Sequence, residues 1–168
     1  MDEREVAFDS FCRGQYPRLV GALGLYTGDA GVGEELAQEA LARAWRRWND
    51  VVRARDPAAW LFVVGFNLAK SRVRRLQAER RALRRVATRE AGDHADVAAA
   101  HEVRRALAAL PHRFRCVLVL RYYLGYTVVE TAEHLGVPVS TVKTWSARGL
   151  QRLRNEAPFT PPEAVDAS

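Results

Sequence analysis

The segment Thr127–Arg154 carries side chains suited to reading double-stranded DNA, in the sequence TVVETAEHLGVPVSTVKTWSARGLQRLR. Hydroxyl, ammonium and guanidinium groups donate hydrogen bonds to base edges and phosphates in the major groove. No acidic residue from Val139 to Arg154 opposes that contact. The side chains predicted to face outward and touch DNA are Ser140, Thr141, Lys143, Thr144 and Arg148.

The spacing of small and apolar residues in this segment predicts a helix-turn-helix. Thr127 and Glu130 form the T-x-x-E pattern of a capping box that opens a helix. Ala132 lets two helices approach closely, Gly136 permits the left-handed turn, and Val142 packs the second helix on the first. Two short amphipathic helices joined by a glycine also occur in proteins that never bind DNA, so that interpretation stays open.

The residues that commonly perform catalysis do not converge in this sequence. The four histidines, His94, His101, His112 and His134, have no nucleophile or metal ligand at a recognisable spacing. Neither a phosphate-binding loop nor a nucleophile elbow is present. We therefore expect a protein that is not an enzyme and that has no metal, no cofactor and no small-molecule substrate.

Positive charge is concentrated in the middle of the chain. The whole chain has a net charge of +6, which favours a polyanionic partner. Residues 51–90 carry 11 basic and 3 acidic side chains, whereas residues 1–50 have a net charge of −3 and residues 91–168 one of +1. A single DNA-binding motif near the C-terminus does not account for this distribution.

Cysteine usage and hydropathy indicate a cytoplasmic protein. Cys12 and Cys116 are far apart and form no C-x-x-C pair, so we expect reduced, buried thiols. The N-terminal sequence MDEREVAFDS is acidic and lacks the apolar core of a secretory signal. The longest uncharged apolar run, Pro57–Ala69, is too short to span a bilayer, so no membrane insertion is expected.

Hydrophobic periodicity predicts an all-α fold of two small helical domains joined by a linker, because no long stretch alternates with period two. The expected helices cover about 8–25, 33–48, 57 to 75 or beyond, 101–110 and 113–123, followed by the helix-turn-helix. Residues 49–55 are expected to be a polar loop. The expected domains are residues 1–76 and 101–155, with a linker at 77–100 that is partly helical and a disordered tail at 156–168.

Four blocks in this order resemble bacterial RNA polymerase sigma factors of the extracytoplasmic-function type, a group of the sigma-70 family. The resemblance covers Phe8–Arg154, and the third block is similar to actinobacterial members. The first two blocks resemble sigma region 2, and the last two resemble sigma region 4, which includes its helix-turn-helix. The blocks are GEELAQEALARAWRRW, DPAAWLFVVGFNLAKSRVRR, ALAALPHRFRCVLVLRYYLGYTVVETAEHLGVP and VSTVKTWSARGLQRLR.

The resemblance implies a polymerase-binding surface on the second helix. In the family this helix meets the polymerase clamp with an exposed face of carboxylates, an amide and small apolar groups. The family usually has Asp where this chain has Glu35, and a solvated helix face is the simpler alternative. The residues implied are Glu35, Leu36, Gln38 and Glu39.

The resemblance also implies that the block around the third helix opens the minus-ten promoter element. Strand opening uses aromatic stacking, an amide that reads a flipped base, and cations along the backbone. Asn67 aligns with the base-reading position, although an exposed polar role is the alternative. Trp60 is expected in the core, and Trp48 could be core or pocket. The implied set is Trp48, Asn49, Arg53, Arg55, Asn67, Lys70, Arg72, Arg74 and Arg75.

In the second domain, Lys143, Thr144 and Arg148 match family positions that contact the minus-thirty-five element. The family most often has Arg where this chain has Trp145. We expect Trp145 to pack between the helices, and contact with DNA is the alternative. Gly149 replaces a commoner Ala and weakens the helix slightly.

We therefore expect a sigma factor that binds core RNA polymerase and promoter DNA, melts the minus-ten element and reads the minus-thirty-five element. An anti-sigma factor is a further partner that the family resemblance suggests. The alternatives are a helix-turn-helix regulator that binds duplex DNA without polymerase and an interaction protein that uses this motif to bind protein. Neither alternative requires the basic, aromatic block between Trp48 and Arg75.

Overall fold

The structure is a computed structural model that describes residues 2–84 and 98–156, with side chains described for 2–83 and 102–156. All regular elements of these residues are helices. The all-α prediction is therefore confirmed for the described part of the chain. Most of the expected linker and nearly all of the expected disordered tail lie outside it, so the proposed domain limits stay predictions.

The described residues 2–84 form four helices, and an aspartate cap marks the start of two of them. Asp29 and Asp56 cap the second and fourth helices, accepting bonds of 2.9 Å from the amides of Val32 and Ala59. The residues predicted as a polar loop contain a short helix, and the last helix continues beyond residue 76. The bounds are α1 Glu3–Thr27, α2 Ala30–Arg46, α3 Trp48–Val51 and α4 Pro57–Arg84.

In the second half, the described residues 98–156 form four α-helices and one π-helical turn. The helix predicted over 113–123 is divided, because its last turn, Val119–Tyr123, is a π-helix. Such turns are rare and cannot be recognised from apolar spacing. The bounds are α5 Ala98–Ala109, α6 His112–Leu118, α7 Val128–Leu135 and α8 Val139–Glu156.

The N-terminal core lies between α1, α2 and α4. Small residues allow the helices to approach closely, since a Cβ added to Gly33 would lie 2.5 Å from the backbone nitrogen of Gly24. Phe62 and Phe66 of α4 fill the space beside Leu23. This close packing fixes the first half of α4, up to Ala69, against α1 and α2.

The core of the first half continues into the second half. Cys116, Val119 and Leu120 are buried in the same cluster as the residues of α1, α2 and α4. Two smaller clusters, one around Phe114 and Leu153 and one around Val142, hold α5, α6, α7 and α8 together. The two halves therefore contact each other directly in this structure.

Within the described residues, no helix is long and apolar enough to cross a bilayer.

Candidate nucleic-acid interface

The predicted helix-turn-helix forms with the expected cap and turn. The Thr127 hydroxyl accepts a 3.2 Å bond from the amide of Glu130, and the Glu130 carboxylate accepts a 2.8 Å bond from the amide of Thr127. The amide and the hydroxyl of Thr127 both donate to the Glu130 carboxylate, and these two bonds lower the pKa of Glu130 because they stabilise its ionised form. Gly136 ends α7 with a φ of 65°, in the left-handed region that favours glycine. The sequence prediction of this motif is confirmed.

Three apolar contacts fix the angle between α7 and α8. Ala132 and Val142 are buried against each other and against Val117 of α6. Trp145 is partly buried and packs on both small clusters of this half, which confirms the expectation that it packs between helices. A Cβ on Gly149 would lie 3.2 Å from Leu118, so the glycine lets α8 approach α6 closely.

The outward side of α8 presents the predicted DNA-binding residues to solvent. Ser140, Lys143, Thr144 and Arg148 are exposed, and Thr141 is half-buried. Positions three or four apart lie on one side of a helix, so Ser140, Lys143 or Thr144, and Arg148 share one face. This face can donate hydrogen bonds to base edges and phosphates along one groove.

The basic half of α4 forms a second exposed surface. Asn67, Lys70 and Arg74 are exposed and lie at positions i, i+3 and i+7, which places an amide and two cations along one stripe. Arg75 is exposed beside this stripe. Arg72 is partly buried because its Nη2 lies 2.8 Å from a carboxylate oxygen of Glu35 on α2.

The loop before α4 brings further polar groups to the N-terminal end of this helix. Asn49, Arg53 and Arg55 are exposed. Trp48 is not, since only 5% of its surface is accessible and its ring centroid lies 5.1 Å from that of Phe8 and 5.2 Å from that of Phe11. Including Trp48 among the DNA-binding residues was therefore wrong for this structure, because the ring fills the core.

The exposed side of α2 carries three of the four residues predicted to bind polymerase. Glu35, Gln38 and Glu39 are exposed, and Glu39 pairs with Arg43 one turn later at 2.7 Å. Leu36 has 3% of its surface accessible and lies in the N-terminal core. The prediction for Leu36 is wrong in this structure, because its position on the helix turns it away from solvent.

A buried polar cluster, which the sequence did not reveal, joins the two halves. The guanidinium of Arg115 donates bonds to the carbonyls of Leu110 at 2.6 Å and of Tyr26 at 3.0 Å. The Tyr26 hydroxyl shares a hydrogen bond with Nδ1 of His112. Tyr26 and His112 are far apart in sequence, so no local motif could have found this pair.

Burial and nearby cations change the acid–base properties of this cluster. The pKa of His112 is lowered to about 4, first by burial and then by the charges of Lys70 and Arg115. Burial raises the pKa of Cys116 to about 12, so its thiol stays protonated. His112 is therefore neutral at physiological pH and acts as a packing and hydrogen-bonding group.

His134 of α7 is largely covered. Only 16% of its side chain is accessible, and its Nε2 lies 3.5 Å from a carboxylate oxygen of Asp56. Its ring centroid lies 5.1 Å from that of Tyr126 in an edge-on arrangement. The residue is covered because α7 packs against the start of α4.

Two family models match this chain. The one described as Sigma-70 region 2 matches residues 13–79, and the one described as Sigma-70 region 4 matches residues 100–153. The ECF RNA polymerase sigma factor SigK of Mycobacterium tuberculosis H37Rv is 34% identical over 160 residues, covering 90% of this chain and 86% of SigK. SigW of Bacillus subtilis 168, named likewise, is 28% identical over 138 residues, covering 73% and 74% of the two chains.

Solved structures show the same fold. The sigma factor RpoE of Bartonella quintana, crystallised with the anti-sigma factor NepR, superposes with a TM-score of 0.73 at 21% identity, covering 89% of this chain and 96% of RpoE. CnrH, solved with the cytosolic domain of CnrY, gives a TM-score of 0.62 at 22% identity, covering 90% and 87%.

In this chain a helical domain with a basic face is followed by a helix-turn-helix domain. This order of domains is that of a two-domain sigma factor. The chain belongs to the sigma-70 family, and within it to the ECF RNA polymerase sigma factors. It directs promoter-specific transcription, and the alternative of a regulator that works without polymerase is not favoured.

Proposed function

We propose that this sigma factor divides its work among three surfaces. The first is the exposed side of α2, where Glu35, Gln38 and Glu39 would meet a basic, amphipathic surface of core RNA polymerase. Leu36 supports this surface from the core and does not touch the partner.

The second surface is the stripe on α4 with the loop before it, which we assign to the unpaired strand of the minus-ten element. Asn67 would read a flipped base through its amide, because an amide can pair with the Watson–Crick edge of a base. The cations would follow the phosphates. This set comprises Asn49, Arg53, Arg55, Lys70, Arg72, Arg74 and Arg75.

The third surface is the outward face of α8, which we assign to the duplex minus-thirty-five element. Lys143 and Arg148 would donate to base edges or phosphates, and the hydroxyls of Ser140, Thr141 and Thr144 would add shorter contacts. Trp145 supports α8 from behind.

One observation carries this assignment. The amide-and-cation stripe of α4 and the acid-free face of α8 are both exposed and lie on different domains. Two weak contacts on one chain act together when a larger enzyme fixes their separation, because the second contact then forms at a high effective concentration. We place this activity in the cytoplasm, with polymerase and promoter DNA as partners, while the anti-sigma factor stays a prediction.

Substitution of Asn67 by alanine tests the minus-ten assignment. We expect Asn67→Ala to reduce promoter-specific transcripts roughly tenfold in transcription with core polymerase on genomic fragments, because one base-reading contact is lost. Gln77→Ala provides a matched control, since Gln77 is an exposed amide on the same helix but lies about 15 Å further along it and is not among the residues assigned to the minus-ten strand. Binding to core polymerase should be unchanged in both variants.

Two other results would contradict these assignments. Equal transcription from Asn67→Ala and Gln77→Ala would remove Asn67 from the site. Tight duplex binding by the chain alone would contradict the assignment of the three surfaces.

A further inference from the structure

The two domains are in contact on the side that the proposed function gives to the minus-ten strand. At the inner end of the contact, Arg115 of α6 donates to the carbonyl of Tyr26 near the C-terminal end of α1, and Arg18 of α1 donates a 3.0 Å bond to the carbonyl of Leu124. Cations are favourable at a helix C-terminus, where carbonyls lack partners within the helix.

At the outer end, α7 of the helix-turn-helix lies against the loop before α4. The Arg55 guanidinium is 3.0 Å from a carboxylate oxygen of Glu133, and the neighbouring pair Asp56 and His134 approaches to 3.5 Å. Tyr126 packs edge-on between the rings of His134 and Phe62. Two successive loop residues, Arg55 and Asp56, therefore contact two successive residues of α7.

Two domains in direct contact cannot bind both promoter elements at the same time. The positions that give the two elements their names are about 25 nucleotides apart, which is about 85 Å of duplex at about 3.4 Å per step. Domains that touch each other cannot occupy two sites so far apart. The contact between α7 and the loop thus belongs to a chain that is not engaged on a promoter.

We propose that Glu133 competes with the DNA backbone for Arg55, so that the helix-turn-helix domain masks part of the minus-ten surface when no promoter is bound. A carboxylate and a phosphate offer the same pair of acceptor oxygens to a guanidinium. Glu133 occupies the place on Arg55 where a phosphate of the unpaired strand would bind. This inference rests on the proposed minus-ten surface. It adds that Glu133, a residue of the other domain, controls access of the DNA backbone to Arg55.

The ion pair between Arg55 and Glu133 is weak enough for DNA to displace Glu133. The side chains of Arg55 and Glu133 have 84% and 43% of their surfaces accessible, so the pair is solvated and contributes little to stability. A weak pair delays binding without preventing it. Separation of the domains on polymerase would remove Glu133 and leave the Arg55 guanidinium available to a phosphate.

Charge reversal at Glu133 tests the competition. We expect Glu133→Lys to bind a fluorescent mixed-sequence single strand about three to five times more tightly than the unaltered chain, with Glu133→Gln in between. Glu156→Lys is the matched control, because it makes the same charge change at an exposed position of the same domain, at the end of α8. Its gain should be clearly smaller.

A double-mutant cycle identifies the site of the competition. In the Arg55→Gln background, the advantage of Glu133→Lys over Glu156→Lys should disappear, because no guanidinium remains to compete for. Equal gains from the two lysine variants, or a gain that persists without Arg55, would overturn the proposal. Thermal melts and helical content confirm that each variant folds.

Failure of this proposal can be told apart from failure of the proposed function. If the unaltered chain directs transcription with core polymerase and the cycle shows no coupling, the competition alone is wrong. If the cycle shows coupling but Asn67→Ala leaves transcription unchanged, the minus-ten assignment is wrong.

Discussion

Single residues show where residue type and helical position give conflicting signals. Leu36 and Trp48 lie within blocks that resemble functional regions, yet both are buried in the N-terminal core. Their neighbours Glu35 and Asn49 are exposed, because one step along a helix turns the side chain by about 100°. A motif assigns a function to a segment, whereas the direction of each side chain decides which member can reach a partner.

The core position of Leu36 has a measurable consequence for stability. We expect Leu36→Ala to lower the free energy of unfolding by about 2–5 kcal/mol, because it removes buried methyl groups and leaves a cavity. Gln38→Ala, on the exposed side of the same helix, should change it by less than about 0.5 kcal/mol. Chemical denaturation measures both, and a stable Leu36→Ala chain that fails to bind polymerase would restore the surface interpretation.

At the scale of elements, local signals predicted most helix boundaries of the described chain. The cap Thr127 and the left-handed Gly136 stand where the sequence placed them, since each acts within one turn of its own position. The π-helical turn Val119–Tyr123 and the short α3 were not predicted. Both depend on packing between α6 and α1 or within the N-terminal core, and local spacing does not record that packing.

Two threonines of the helix-turn-helix should separate stability from recognition. We expect Thr127→Ala to lower the free energy of unfolding by about 1 kcal/mol, because α7 loses its capping bond. Thr144→Ala should leave stability unchanged or slightly higher, since alanine favours a helix interior, while weakening minus-thirty-five binding. Urea unfolding and promoter binding on core polymerase measure the two effects, and the reverse pattern would contradict the assignment of the cap.

At the scale of the whole molecule, the contact between domains depends on protonation. The pKa of His112 is about 4 in the folded chain against an ordinary 6.5, so the unfolded chain binds more protons between these values. The stabilisation is fully present above about pH 6.5 and is lost as the pH falls towards 4. Tyr26 and Cys116 contact the ring, and burial together with the charges of Lys70 and Arg115 disfavours the imidazolium.

The pH dependence can be isolated by comparison with a variant that does not titrate. We expect the unfolding free energy of the unaltered chain, relative to His112→Gln, to fall by about 1–2 kcal/mol between pH 7 and pH 4.5. Measuring the difference removes the contribution of the carboxylates, which titrate in both chains. A difference that stays constant with pH would show that His112 does not hold a lowered pKa.

The sequence by itself determined the all-α class, the helix-turn-helix with its cap and turn, and the resemblance to sigma factors that the family matches confirmed. These features follow from short-range periodicity and from motifs in a fixed order. Only the tertiary structure decided that Leu36 and Trp48 are buried, that Tyr26, His112 and Arg115 meet, and that Glu133 reaches Arg55. Such contacts join residues that are far apart in the chain, and packing between helices sets them.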